Sequence, residues 1–302
     1  MTHKTTASPP LKPLRGVHIL SLALNLPGPA ALMRLKHMGA VGVKLEPPPA
    51  AHAPSGDPMG AYNRIGYEAM HQGIRLVVAD LKTEKGQKAL HRELAKADVL
   101  LTSFRPSALR KLGLEWKALR KLYPLLSMVT IVGAPGERAE EPGHDLTYLA
   151  ENNLVTGLEM PATLYADMGG SLMTTEAVLQ ATLVQRLKGK GSLIEVALSN
   201  AAAYLALPRT WGLTQPGAAV GGGHAGYRVY PCKDGRVAVA ALEPHFAKAL
   251  CAVAGIQLAS FSDLMAPATH NALANFLSGQ TRDSLNQLAQ AHDIPLQTLH
   301  NS

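Results

Sequence analysis

The sequence predicts a doubly wound, mostly parallel α/β sheet domain followed by a smaller α+β domain. Through the first two thirds of the chain, apolar segments of strand length alternate with segments of helical periodicity. A hairpin pattern and amphipathic helices fill the remainder. Of the 302 residues, 47% are hydrophobic and 17% are charged, which excludes a disordered chain or a coiled coil.

The strands and helices of the large domain are predicted from apolar runs and from the residues that begin and end them. Helices are expected where apolar residues recur at helical spacing, with Thr83 as an N-cap and Pro106 at a helix start. Loop 47–60 is rich in Pro, Ala and Gly. Strands are predicted at 17–23, 41–46, 74–81, 98–104, 125–133 and 192–198, and helices at 30–39, 83–96, 106–113 and 171–191. Ligands of such sheets bind beyond the carboxyl ends of the strands.

A glycine-rich connector supplies the predicted domain boundary. The large domain is placed at 1–215, the linker at 216–226 and the small domain at 227–302. The small domain should begin with a hairpin at 227–242 that turns at Lys233-Asp234-Gly235. Two or three amphipathic helices are expected to follow it, for instance at 270–277 and 284–291.

Several classes of protein are excluded by simple counts. No apolar run reaches the roughly 18 residues of a membrane span, and the polar stretch 1–15 has no apolar centre typical of a secretory signal. The two cysteines cannot form a disulfide framework. A cytoplasmic protein that neither spans nor binds a membrane is therefore expected.

The net charge of +7 comes from one region. Residues 82–121 contain eleven Lys or Arg and four acidic residues. Nucleic-acid binding is disfavoured because no zinc, RRM or helix-turn-helix signature accompanies this charge. Solvated helix faces and attraction of a polyanionic small molecule both remain open.

Familiar cofactor motifs are absent from the sequence. The turn after the first strand reads LPGPAA (26–31) instead of G-x-G-x-x-G, and its prolines remove backbone donors. Histidines and cysteines lack the spacing of metal ligands. Neither a nicotinamide cofactor nor a metal is expected.

Three short stretches contain candidate acid–base residues. His144 and Asp145 begin a helix after a Pro-Gly turn, Asp167 lies in a glycine-rich turn before a long helix, and Glu243 precedes a proline-started helix. Each carboxylate could instead be a helix cap or a solvated group. Together, a histidine and carboxylates could remove a proton from one face of a carbon and return one to the other.

From Leu14 to about Leu299 the chain resembles the class III CoA-transferase family of the CaiB/BaiF type. The resemblance rests on an ordered series of segments: 14–48 (LRGVHIL through VKLEPP), GDP at 56–58, RLVVADLK at 75–82, 97–114 and GKGSLIEVALSNA at 189–201. It implies a Rossmann-like large domain, coenzyme A bound as an acyl-CoA thioester substrate, and an interlocked homodimer. It also implies a C-terminal segment that returns to the large domain, which this chain is expected to lack.

Within that family, the order GHDLTYLA (143–150), ADMGG (166–170) and KDGRVAVAALEPHF (233–246) looks most like the α-methylacyl-CoA racemase branch. That resemblance implies that His144, partnered by Glu243, is one acid/base and Asp167 the other. The backbone amide of Asp145 would then hold the thioester oxyanion. In the transferase branch Asp167 would instead be a nucleophile. A non-catalytic CoA-binding homologue is the third alternative.

The resemblance also implies residues that contact coenzyme A. The predicted set consists of basic and hydroxyl side chains in the family-like segments: Arg75, Arg105, Lys44 and Ser103. Apolar residues around the candidate site indicate an apolar acyl group.

Overall fold

The computed structural model describes residues 11–300 and divides into two units, one ending at Ala206 and one beginning at Leu207. The division falls before residue 215, where the large domain was expected to end. Residues 1–10 of the polar stretch interpreted above lie outside the described residues. Within the described residues, no helix combines the length and apolarity needed to cross a membrane.

The first unit is built on a six-stranded parallel sheet. Its spatial order is β3-β2-β1-β4-β5-β6, the doubly wound order in which the strand order reverses between β1 and β4. This arrangement confirms the predicted fold class. The strands are β1 His18–Ser21, β2 Val41–Glu46, β3 Arg75–Val78, β4 Val99–Thr102, β5 Ser127–Val132 and β6 Leu193–Ala197.

Helices connect the strands on both faces of the sheet. They are α1 Pro27–His37, α2 Met59–Tyr62, α3 Arg64–His71, α4 Glu84–Leu94, α5 Pro106–Lys111, α6 Trp116–Leu122, α7 Asp145–Glu151, α8 Tyr165–Lys188 and α9 Leu198–Leu205. Thr83 caps α4 as expected, because its hydroxyl accepts the N–H of Gly86 at 3.1 Å. Helix α3 was not predicted.

Strand alternation divides the core into two layers. Ile19 of β1 packs in the layer that contains α1 and α8, and the next residue, Leu20, packs in the layer that contains α4, α5 and α6. Leu101 and Leu100 of β4 are divided in the same way. Both faces of the central strands are therefore buried, which explains why these strands are continuous apolar runs.

The start of α8 corrects one prediction. The helix begins at Tyr165 instead of residue 171, so Asp167 lies in its first turn and not in a glycine-rich turn before it. A Cβ on Gly170 would collide with the side chain of Leu198 in α9. The glycine is therefore explained by close packing of two helices, whereas the sequence suggested a break in the helix.

The second unit combines a three-stranded antiparallel sheet with helices. Strands β7 Tyr227–Cys232 and β8 Gly235–Ala240 form the expected hairpin, and β9 Leu296–Leu299, which was not predicted as a strand, pairs with β8. The helices of this unit are α10 Leu207–Thr210, α11 Pro244–Val253, α12 Pro267–Ser278 and α13 Arg282–His292. Val237, Leu250 and Leu273 lie fully buried in its core.

Candidate active site

A cavity of about 180 Å³ lies beyond the carboxyl ends of β1, β4 and β5. This is the edge of a doubly wound sheet where ligands bind. Its lining combines the segments that follow these three strands with the starts of α7 and α8. The residues that matter below are Leu24, Asn25, Ser103, Arg105, Gly133, Gly143, His144, Tyr148 and Asp167.

His144 reaches the cavity as the residue that precedes α7. Its backbone N–H donates to the hydroxyl of Thr147 at 3.1 Å, and that hydroxyl donates to the His144 carbonyl at 2.7 Å. These bonds stabilise the helix start and fix the backbone of the histidine. The His144 side chain remains exposed and lines the cavity.

Asp145, the first residue of α7, joins the two helices that carry the candidate residues. Its side chain is buried, with 4% of the residue exposed, and its Oδ1 accepts the backbone N–H of Asp167 at 2.9 Å. Residues that are 22 positions apart in sequence are therefore held side by side. The bond leaves Asp145 as a buried negative charge beside Asp167.

Asp167 has an environment that favours its protonated form. Burial, and next the charge of Asp145, raise the pKa of its carboxyl group from 3.8 to about 6, with His144 lowering it in part. Within residues 11–300, no group donates a hydrogen bond to the Asp167 carboxylate. A carboxyl group with a pKa close to neutrality can both accept and release a proton at physiological pH.

Two tyrosines whose pKa is raised in part by the charge of Asp167 were not among the predicted site residues. The hydroxyl of buried Tyr148 occupies the space that a Cβ on Gly133 or Gly143 would need. Burial and the charge of Asp167 raise the pKa of Tyr148, and burial, Asp57 and Asp167 raise that of Tyr62. The glycines next to the motif hinted at a close neighbour, but only the fold shows which side chain it is.

Two of the four predicted coenzyme A contacts lie at the cavity. Ser103 and Arg105 both line it, and the Ser103 hydroxyl accepts the N–H of Leu24 at 3.2 Å. Arg105 is exposed, and its charge adds to the hydrogen bonds from Ser107 that lower the pKa of Glu140. An exposed guanidinium is available to pair with an anionic ligand.

The other two predicted contacts lie elsewhere in the same unit. Arg75 begins β3, so it stands at the amino edge of the sheet, where it pairs with Glu93. Lys44 is 0% exposed and pairs with Asp57, with Glu46 at 3.7 Å. Neither lines the cavity, because a parallel sheet places strand starts at the opposite edge and strand alternation turns Lys44 inward.

Glu243 belongs to the second unit. It is the exposed residue immediately before α11, with Pro244 at the helix start as expected. Its pairing with His144 stays a prediction.

Among residues 11–300, no group of three His, Cys, Asp or Glu side chains is arranged to hold a metal ion.

The fold and the cavity define a doubly wound α/β protein with a histidine and a raised-pKa carboxyl group at the ligand-binding edge of its sheet. The family model for CoA-transferase family III matches residues 14–302, and the chain belongs to that family. The resemblance found from sequence motifs is thereby confirmed.

Relatives with different named activities are similar to the chain to the same degree. It is 31% identical over 215 residues to the probable fatty acyl-CoA transferase Rv3272 of Mycobacterium tuberculosis, covering 66% of this chain and 53% of that protein. It is 31% identical over 204 residues to the cinnamoyl-CoA:phenyllactate CoA-transferase of Clostridium sporogenes, covering 63% and 50%. It is 31% identical over 254 residues to the alpha-methylacyl-CoA racemase of Mus musculus, covering 77% and 62%.

These matches span only about half to three fifths of the relatives' lengths. The crystal structure of Rv3272 has a TM-score of 0.79 at 25% identity, covering 97% of this chain and 86% of that one. A racemase and CoA-transferases are therefore both among the relatives of this chain, and their sequence identity to it is the same.

Proposed function

We propose that this protein racemises or epimerises a 2-methylacyl-CoA thioester by removing and returning the proton at the α-carbon. The observation that carries the proposal is the pairing of Asp167, whose pKa is raised to about 6, with His144 in one cavity. A carboxyl group with a raised pKa and an imidazole are two groups that can move a proton to and from opposite faces of a carbon.

In the proposed reaction, one of the two groups accepts the α-proton and the C–H electrons pass into the thioester, which forms an enolate. The other group then donates a proton to the opposite face of the α-carbon. Asp167 is the base for one enantiomer and the acid for the other, with His144 in the complementary role. The net charge of the pair is unchanged by the reaction, and each group returns to its starting protonation state when protons exchange with water.

The enolate oxygen needs a hydrogen-bond donor where its charge develops. We assign this role to the backbone N–H of Asp145, the first residue of α7. The first N–H groups of a helix have no partner within the helix, so this donor is free for a ligand. Glu243 is the proposed partner of His144.

The remaining parts of the substrate are assigned by charge and polarity. Arg105 and Ser103 are proposed to contact the coenzyme A moiety, since both line the cavity and Arg105 is exposed. Lys44 and Arg75 are not included among these contacts, because Lys44 is fully buried and Arg75 lies at the amino edge of the sheet. We also propose that the protein forms a homodimer, as the family resemblance implies.

The decisive experiment is exchange of the α-proton in D₂O with a 2-methylacyl-CoA, followed by NMR or mass spectrometry. We expect exchange by the unmodified protein and its loss in Asp167→Asn. Glu176→Gln is the matched control, since Glu176 is an exposed carboxylate on the same helix. Exchange that persists in Asp167→Asn would contradict the assignment.

CoA transfer is a second candidate, supported by the Asp167 carboxylate, which accepts no hydrogen bond from the described residues. An unbonded carboxylate can attack the thioester carbonyl and release the CoA thiolate, leaving an acyl-aspartyl anhydride. The thiolate then attacks the aspartyl carbonyl and releases the carboxylic acid, so that CoA is held as an aspartyl thioester. Trapping by hydroxylamine at Asp167 without α-proton exchange would favour this reaction over racemisation.

A further inference from the structure

A cluster of charged side chains is buried in the first unit, separate from the lining of the cavity. Lys44 and Asp57 are 0% exposed, Glu46 is 3% exposed and His71 is 6% exposed. The Lys44 ammonium pairs with Asp57 Oδ2 and lies 3.0 Å from His71 Nε2 and 3.7 Å from Glu46 Oε2. Burying these charges is costly unless each has a partner.

The hydrogen bonds of the cluster indicate which of its groups are charged and which are neutral. His71 Nδ1 lies 2.6 Å from the Tyr67 carbonyl, which can only accept, so Nδ1 carries the proton and Nε2 accepts from Lys44. Burial, and next the charge of Lys44, lower the pKa of His71, which is therefore neutral. The Tyr67 hydroxyl donates to Glu46 at 3.2 Å. Among residues 11–300, the cation paired with Asp57 is the Lys44 ammonium.

The second oxygen of Asp57 holds two backbone segments. Asp57 Oδ1 accepts the N–H of Asn25 at 3.0 Å and the N–H of Met59 at 3.0 Å. Asn25 lines the cavity and has a φ of 65°, a left-handed conformation that asparagine adopts more readily than most residues with a side chain. The hydrogen bond to Asp57 stabilises that conformation.

Met59 begins α2, the short helix that ends at Tyr62. Burial, and next the charges of Asp57 and Asp167, raise the pKa of Tyr62, so its phenol lies within electrostatic range of both carboxylates. One oxygen of Asp57 is therefore bonded both to the turn after β1 and to the start of α2, the helix that carries Tyr62.

We infer that Asp57, with Lys44 as its buried counter-ion, is a positioning residue that sets the shape of the cavity around Asp167. It acts through Asn25 and α2, and it lines no part of the cavity itself. Its effect on catalysis rests on the proposed function, whereas its effect on the environment of Asp167 does not.

The positioning role of Asp57 depends on its negative charge and on the positive charge of Lys44. An ionised carboxylate accepts N–H bonds more strongly than a neutral group does. Without Lys44, the buried Asp57 carboxylate would lack its counter-ion, which is costly. We expect the segment around Asp57 to shift in response, so that its bonds to Asn25 and Met59 weaken and the turn that lines the cavity relaxes.

The test compares Lys44→Met and Asp57→Asn with Leu94→Ala, a buried residue of α4 in the other core layer. In the ligand-free protein, NMR titration of the Asp167 carboxyl carbon reports the environment of the cavity. In D₂O exchange, kcat and KM are measured separately. We expect both cluster variants to shift the Asp167 titration and to lower kcat roughly 10- to 100-fold with a smaller change in KM. Leu94→Ala should lose stability without either change.

An unaltered Asp167 titration and an unaltered kcat in a folded Lys44→Met or Asp57→Asn variant would overturn the inference. If Lys44→Met fails to fold, the nearly isosteric Asp57→Asn decides, since it keeps an oxygen that can face Asn25. If the unmodified protein catalyses no exchange, the proposed function fails, but the Asp167 titration still tests the positioning role.

Discussion

The first unit contains two pairs of carboxylates in opposite electrostatic settings. Asp145 and Asp167 lie side by side at the cavity with no hydrogen-bonded cation among the described residues, and burial and Asp145 raise the pKa of Asp167 to about 6. Glu46 and Asp57 lie deeper and have the Lys44 ammonium between them. A carboxylate paired with a buried cation is stabilised in its charged form and acts structurally. One left beside another carboxylate remains able to exchange a proton.

Asp167→Asn should produce the largest effect. It keeps the shape of the side chain and removes its ability to move a proton, so α-proton exchange should fall by about 10³-fold or more. Binding of coenzyme A, measured by calorimetry, should change little. A parallel loss of CoA binding would mean that Asp167 contributes to the binding site and not only to proton transfer.

Lys44→Met should be the most destabilising change in the other pair. Removing one partner of a buried ion pair costs about 3–5 kcal/mol, because the second charge is left uncompensated. Denaturant unfolding of Lys44→Met, Asp57→Asn and the double variant gives the comparison. We expect the double variant to lose less stability than the two single losses added together. Strict additivity would show that the two side chains do not interact.

The raised pKa of Asp167 links stability to pH. The folded protein binds this proton more tightly than the unfolded chain, where the pKa is 3.8. The contribution is complete below about pH 4 and is lost as the pH rises through about 6, an effect of up to about 3 kcal/mol. The free energy of unfolding relative to Asp167→Asn should therefore decrease between pH 4 and pH 7. A flat difference would show that the Asp167 pKa is not raised.

Asp145→Asn should have the smallest effect. Asn keeps an oxygen that can accept the Asp167 N–H and removes the negative charge. The pKa of Asp167, followed by NMR, should fall below about 6 and stay above 3.8, since burial is the larger cause of the shift. A fall all the way to 3.8 would assign the whole shift to the neighbouring charge.

The sequence predicted the sheet because its central strands are buried on both faces. Segment 125–133, for example, is an apolar run of strand length, and β5 lies at Ser127–Val132. Helix α3 and strand β9 were missed. Strand β9 contains Gln297 and Thr298 within four residues, and it is a strand because it pairs with β8. Such a strand depends on its partner more than on its own residues.

The candidate site was predicted in part. Residues 143–150 and 166–170 were identified as candidate segments, and the structure brings His144, Asp145 and Asp167 together at one cavity. Lys44 and Arg75 were assigned to coenzyme A on their charge and on the resemblance alone. Charge is a property of the residue, but exposure and the edge of the sheet at which it stands are properties of the fold.

The sequence by itself determined the fold class, the family and the chemical types of the candidate catalytic groups, because hydrophobic periodicity and ordered motifs are local along the chain. Only the tertiary structure decided which ionisable groups lie close together. It paired Lys44 with Asp57 across 13 residues and placed Asp145 against Asp167 across 22. Burial and neighbouring charge set the protonation of a carboxyl group, and both depend on contacts between distant segments.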